Sequence, residues 1–185
     1  VRSRGLGDVY KRQEMKSIGI ENAFVDEHCY VYGSIPATKG CEKKPALGLI
    51  AHMDTSPDAP GAGVKPRVVR YEGGDLVLNE EKGIVMRAAE FESLAKYKGQ
   101  ELIVTDGTTL LGADDKAGVA EIFAAVERLV RDPRLAHGRV AVCITPDEEV
   151  GRGADYVDLA RLGAAFAYTC LLYTSPSPRD RTRYR

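Results

Sequence analysis

Residues 46–51, Ala-Leu-Gly-Leu-Ile-Ala, form a short and nearly unbroken apolar run that passes directly into His52-Met53-Asp54. A run of this length without polar alternation needs cover on both faces, which is the situation of a strand inside a parallel sheet. A second such run, Arg139–Ile144, ends at Thr145-Pro146-Asp147-Glu148-Glu149. Between them Val119, Ile122, Phe123, Val126, Leu129 and Val130 recur mostly at three- and four-residue steps, the spacing of an amphipathic helix. Strand, helix and strand in this order predict an α/β fold, with a mixed, largely parallel sheet flanked by helices.

The remaining segments give weaker signals. Residues 14–22 read as the end of a helix that Gly19 stops, and Phe24–Ser34 as a strand or hairpin. Thr38–Pro45 is polar, with Gly40 and a closing proline, and reads as a loop. The prolines and glycines from Pro57 to Pro66 make a loop, Val64–Leu78 holds strand-like pieces, and Ala88–Lys98 suits a short helix. Asp106-Gly107 between Leu102–Val104 and Thr108–Leu111 predicts a hairpin turn. A further helix is expected near Ala154–Leu162 and a strand from Phe166 to Thr169.

The two ends are expected not to belong to the fold. Asp8–Gln13 and Cys170–Ser175 can be encoded by one DNA element read in opposite orientations, and that element resembles the transposon end used in sequencing-library preparation. Residues 1–13 and 170–185 are therefore read as adapter-derived, and 14–169 as the domain. Each end carries a net charge of +3, so the chain's −1 leaves −7 on residues 14–169. That acidic body argues against nucleic acid as a partner despite the arginines of Arg179–Arg185. With 29% charged residues and no apolar run near the ~18 residues of a membrane span, a soluble protein is expected and a membrane role is not. The four cysteines, Cys29, Cys41, Cys143 and Cys170, show no close pairing, which favours a reducing, cytoplasmic setting.

Three polar clusters stand at the expected strand ends or turns: His52/Asp54, Asp114/Asp115 and Glu148/Glu149. Open α/β sheets place their sites at the carboxyl ends of strands. One imidazole and several carboxylates make a donor set suited to zinc or a similar divalent ion, and so many acids brought together need a cation. Taken singly, Asp114 and Asp115 suit a helix start, Glu148-Glu149 a solvated loop and His52 a structural role. Their joint placement favours a metal site. His28 and His137 receive no role, and Cys143 reads as core.

His52-Met53-Asp54-Thr55-Ser56-Pro57-Asp58, Leu110–Gly118 and Thr145–Gly151 resemble the metal-site motifs of the peptidase T family, within the co-catalytic zinc exopeptidases. The resemblance covers essentially all of residues 14–169. It implies two zinc ions per complete protein, with His52 on one, Glu149 on the other and Asp114 bridging. Asp54 would orient His52, and Glu148 would act as general base. It implies a cis peptide between Asp114 and Asp115, removal of the N-terminal residue from short peptides, and a complete protein with a lid domain and room for a homodimer. In the family Ala-Tyr-Thr is followed by Val-Asp-Gly, whose Asp is a further ligand, whereas here Cys170-Leu171-Leu172 follows Thr169. The distant C-terminal His ligand, the lid and the start of the catalytic domain are not in this sequence either, so the 185 residues are expected to be inactive as they stand. A related dipeptidase or N-acyl amino acid deacylase, and a non-catalytic module on the same fold, are the competing readings.

Overall fold

The computed structural model describes residues 7–169; the readings for residues 1–6 and 170–185 lie outside them. The described residues divide into two units, one made of 7–55 with 113–169 and the other of Ser56–Gly112.

The first unit is built on a mixed five-stranded sheet. Its elements are α1 (Gly7–Ser17), β1 (Phe24–Val25), β2 (Val31–Ile35), β3 (Leu47–His52), α2 (Ala113–Arg131), β8 (Val140–Thr145), α3 (Leu159–Leu162) and β9 (Phe166–Thr169), with sheet order β1-β2-β8-β3-β9. β1 and β2 form the expected hairpin, and β2 pairs antiparallel with β8. β3 runs parallel to both β8 and β9. The two runs that stood out as doubly buried thus lie side by side in parallel. Every residue of β8 is buried, as a central strand covered on both faces must be.

The two faces have separate cores. On one, Val140, Val142 and Ile144 of β8 pack with Val119, Ile122, Phe123 and Val126 of α2 and with Met15 and Ile20. Those four α2 side chains contribute roughly 1.5–3 kcal/mol each by leaving water. On the other face Ala141 and Cys143 meet Tyr30, Tyr32 and Leu162. α1 takes in residues 7–13 and stops where Gly19 turns at φ 101°.

The helix expected over 154–162 is confined to Leu159–Leu162. The preceding chain has other partners for its amides: Tyr156 N donates to the Tyr30 hydroxyl and Asp158 N to the Tyr32 hydroxyl. Asp158 then caps α3 by accepting from Arg161 N.

The second unit contains two ribbons, β4 (Arg67–Tyr71) with β7 (Gln100–Val104) and β5 (Leu76–Asn79) with β6 (Ile84–Met86). The expected helix in 88–98 is a 3-10 segment, Glu92–Tyr97. Asp106-Gly107 does not close a hairpin, because β7 pairs with β4 and 105–112 are not a strand. Two local side-chain bonds and one long-range backbone bond capture this backbone instead. Thr105 Oγ1 accepts from Gly107 N, Asp106 Oδ1 accepts from Thr108 N, and Leu110 N donates to Pro60 O.

Candidate metal centre

The parallel register of β3 and β8 sets the site. His52 is opposite Thr145, and Met53 N continues the ladder by donating to Thr145 O. The residues leaving the two strands, Asp54 and the loop Pro146–Glu149, therefore emerge next to each other. That loop is a tight turn in which Asp147 takes φ 59° and Gly151 φ 74°, with Gly151 N donating to Glu148 O at 2.8 Å. The third contribution comes from the start of α2. Asp114 and Asp115 carry non-helical backbone angles, and the bond between them is cis, as the resemblance implied.

His52 is the centre of the cluster and is 1% exposed. Its Nε2 lies 3.0 Å from Asp114 Oδ1 and 3.6 Å from Glu148 Oε2. Its Nδ1 lies 3.1 Å from Asp54 O and 3.3 Å from Asp54 Oδ1. One ligand atom each from His52, Asp114 and Glu149 fall within 4.8 Å of one another. Asp54 does more than face the imidazole: its two carboxylate oxygens accept from Glu148 N at 3.1 Å and Glu149 N at 2.9 Å. Asp115 is 1% exposed and accepts from His52 N and Gly118 N, both at 3.1 Å.

The electrostatics follow from this crowding. Burial disfavours a charged His52, but hydrogen bonds to Asp54 and Asp114 and the nearby negative charges outweigh it and raise its pKa to about 9. For Asp54, burial works upward, while the His52 contact and the two backbone amides hold the carboxyl below its ordinary value. Burial and then repulsion from Asp114 push Glu149 up. Burial also raises Asp115 against the opposing pull of the His52 amide. A buried imidazole beside carboxylates that repel each other is a donor set a divalent cation fits. His52, Asp114 and Glu149 would hold such an ion, and its binding would compete with a proton on the imidazole.

The five residues to which the resemblance gave roles, His52, Asp54, Asp114, Glu148 and Glu149, meet at this end of the sheet. His28 and His137 do not: His28 stacks on Tyr156 with ring centroids 3.9 Å apart, and His137 Nδ1 bonds Gly138 O. Cys143 is fully buried, as expected, and burial pushes its thiol up to about 12. What the sequence reading left unassigned is the grip of Asp115 on the β3 terminus. An acid three residues before the amide it caps is a capping spacing, but Asp114 and Ala117 share it, so the sequence did not single out Asp115.

Comparison with known proteins agrees with the geometry. No protein-family model matches the chain. Peptidase T of Alkaliphilus oremlandii (strain OhILAs) is 53% identical over 159 residues, 85% of this chain and 39% of the relative. Peptidase T of Clostridium botulinum (strain Langeland) is 52% identical over 158 residues, 85% of this chain and 38% of the relative. Among solved structures, the aminopeptidase PepT from Bacillus cereus ATCC 10987 matches 87% of this chain and 36% of its own with a TM-score of 0.61 at 28% identity. A tripeptidase from Staphylococcus aureus subsp. aureus Mu50 matches 89% and 37% with a TM-score of 0.62 at 25% identity.

The fold matches part of the solved PepT and tripeptidase chains, and His52, Asp114 and Glu149 form a donor group of the kind that can hold a metal ion. The chain is a homologue of peptidase T. It spans about two fifths of the length of these curated relatives, 39% and 38%. Among the described residues no helix is long and apolar enough to cross a membrane.

Proposed function

We propose that the complete protein is a two-zinc aminopeptidase that releases the N-terminal residue of tripeptides, and that residues 14–169 are part of its catalytic domain. The observation that carries this reading is the convergence of His52, Asp114 and Glu149 within 4.8 Å, in a chain 53% identical to a peptidase T. His52 would hold one zinc, Glu149 the other, and Asp114 would bridge. Bound zinc would supply Lewis acidity, polarising the scissile carbonyl and easing deprotonation of water. Asp54 fixes the His52 ring from the Nδ1 side, which sets its tautomer and basicity. The same carboxylate fixes the backbone of Glu148 and Glu149. Glu148, 43% exposed at the rim, takes the proton from the attacking water and passes it to the leaving amine.

With Asp114 shared, each zinc would have two protein ligands in the described residues. The resemblance assigns the remaining ligands to segments that follow Thr169 in the family. The 185-residue polypeptide alone is therefore expected to hold zinc weakly and to lack peptidase activity. Isothermal titration with zinc and a tripeptide assay test this; tight binding of two ions with turnover would refute it. The wide spacing of the four cysteines, with no CxxC pair, is what supports the proposed cytoplasmic setting. The basic ends, 1–13 and 170–185, are taken as adapter-derived, and sequencing the parent gene across Thr169 decides that point.

A further inference from the structure

The Asp115 side chain joins two elements that the metal centre depends on. It is buried to 1% exposure, yet both of its carboxylate oxygens are engaged, Oδ2 by the His52 amide and Oδ1 by the Gly118 amide, at 3.1 Å each. The Gly118 contact is a helix cap. Asp114 and Asp115 have non-helical backbone angles, so regular α2 begins after them, and an acid accepting from the amide three residues on satisfies one of the helix's free donors. The His52 contact is a different matter. It reaches from the head of α2 to the last residue of β3 and holds the backbone from which the imidazole projects. Asp114, the neighbour of Asp115, lies 3.0 Å from that imidazole. One carboxylate thus fixes the distance between the two side chains that face each other across the cluster. The approach is close enough to dictate position 118, where a Cβ would stand 2.8 Å from Asp115 Cγ, so only glycine fits without displacing the carboxylate.

We propose that Asp115 is a positioning residue for the metal centre: by capping α2 and holding the His52 amide with the same carboxylate, it sets His52 against Asp114 before a cation arrives. The proposal rests on the metal-site reading of His52, Asp114 and Glu149. It adds a residue outside that ligand group.

The two functions of the carboxylate can be separated. In Asp115→Ser the hydroxyl still caps the helix, since serine is among the preferred capping residues, but it is too short to hold the His52 amide as well. In Asp115→Asn the amide group can accept from one N–H and turns a donor toward the other. Zinc affinity of the full 185-residue chain is measured by competition with a chromophoric chelator, alongside the melting temperature of the metal-free protein. The expected result is that Asp115→Ser still folds, melting several degrees below the parent because the buried His52 amide loses its acceptor, and binds zinc roughly 10–100-fold more weakly, the cost typical of removing a partner that orients a ligand. Equal zinc affinity in the parent and in folded Asp115→Ser overturns the proposal. If the parent binds no measurable zinc, as two protein ligands per ion allow, the metal-site reading is decided separately by metal analysis of the complete protein, and the positioning claim is decided in the metal-free protein by the ¹⁵N shifts of the His52 ring. Movement of those shifts in Asp115→Ser or Asp115→Asn supports it, and an unchanged ring spectrum refutes it. Should neither variant fold, hydrogen-bond couplings in the parent from the His52 and Gly118 amide nitrogens to the Asp115 carboxyl carbon decide the contact directly, and their absence refutes it.

Discussion

Replacing Asp54 by asparagine removes one oxygen acceptor and leaves the shape of the side chain unchanged. In the native arrangement the two carboxylate oxygens accept separately from Glu148 N at 3.1 Å and Glu149 N at 2.9 Å, while Oδ1 also lies 3.3 Å from His52 Nδ1. The single carbonyl oxygen of asparagine keeps one of the two amides, and its NH₂ group faces the other. The loss is one hydrogen bond to a charged acceptor, about 1.5–3 kcal/mol. The Asp54 side chain is 24% exposed, so water reaches the abandoned amide and the lower end of that range applies. A loss of about 1.5 kcal/mol corresponds to a melting temperature lower by roughly 3–6 °C for a domain of this size. Urea unfolding of metal-free Asp54→Asn against the parent measures the total. Amide exchange locates it: Glu148 or Glu149 should exchange about tenfold faster, with the β8 amides quickened only by the global loss of stability. Unaltered exchange at both glutamates would show that Asp54 does not hold this loop, whatever happened to overall stability.

Three further outcomes follow from the same geometry. Gly48→Ala on β3 puts a methyl 2.9 Å from Ala167 Cβ and 3.1 Å from Ala164 Cβ, and this overpacking should cost about 1–3 kcal/mol in chemical denaturation. Raising the pH should destabilise the chain. The buried Cys143 thiol keeps its proton up to about 12 in the folded state but releases it near 9 when unfolded, so the folded state binds more protons between these values and stability falls with pH; Cys143→Ala should weaken this dependence in alkaline unfolding curves. In the complete protein, Glu148→Gln should lower kcat by roughly 10²–10⁴ while leaving zinc content unchanged, as measured by steady-state kinetics and metal analysis.

The parts of this fold that the sequence made legible are those where burial is continuous or periodic. Leu47–His52 and Val140–Thr145 were visible as apolar runs because both faces of each strand are covered, and α2 was visible because Val119, Ile122, Phe123 and Val126 face one core. The segments read differently are those where single side chains redirect the backbone. The Tyr30 and Tyr32 hydroxyls take amides from 156 and 158 and delay α3, and Thr105 with Asp106 binds the turn that pattern alone assigned to a hairpin. No hydropathy pattern carries such bonds. The site was legible for the same reason as the strands, since His52 and Glu148-Glu149 terminate two runs that lie in parallel register. Asp115 was not separable from Asp114 by sequence, because adjacent acids at a helix start have the same local signature; only the buried contact with the His52 amide distinguishes them.

The central claim is that His52, Asp114, Glu148 and Glu149 belong to a tripeptide aminopeptidase centre. The direct measurement is product analysis of the zinc-loaded complete protein, and of its His52→Ala variant, on a tripeptide with a free amino terminus and on an N-acyl amino acid. The expected result is release of the N-terminal residue from the tripeptide, abolished in His52→Ala, with the acyl compound untouched. Hydrolysis of the acyl compound alone, no hydrolysis of either, or full activity without His52 would contradict it.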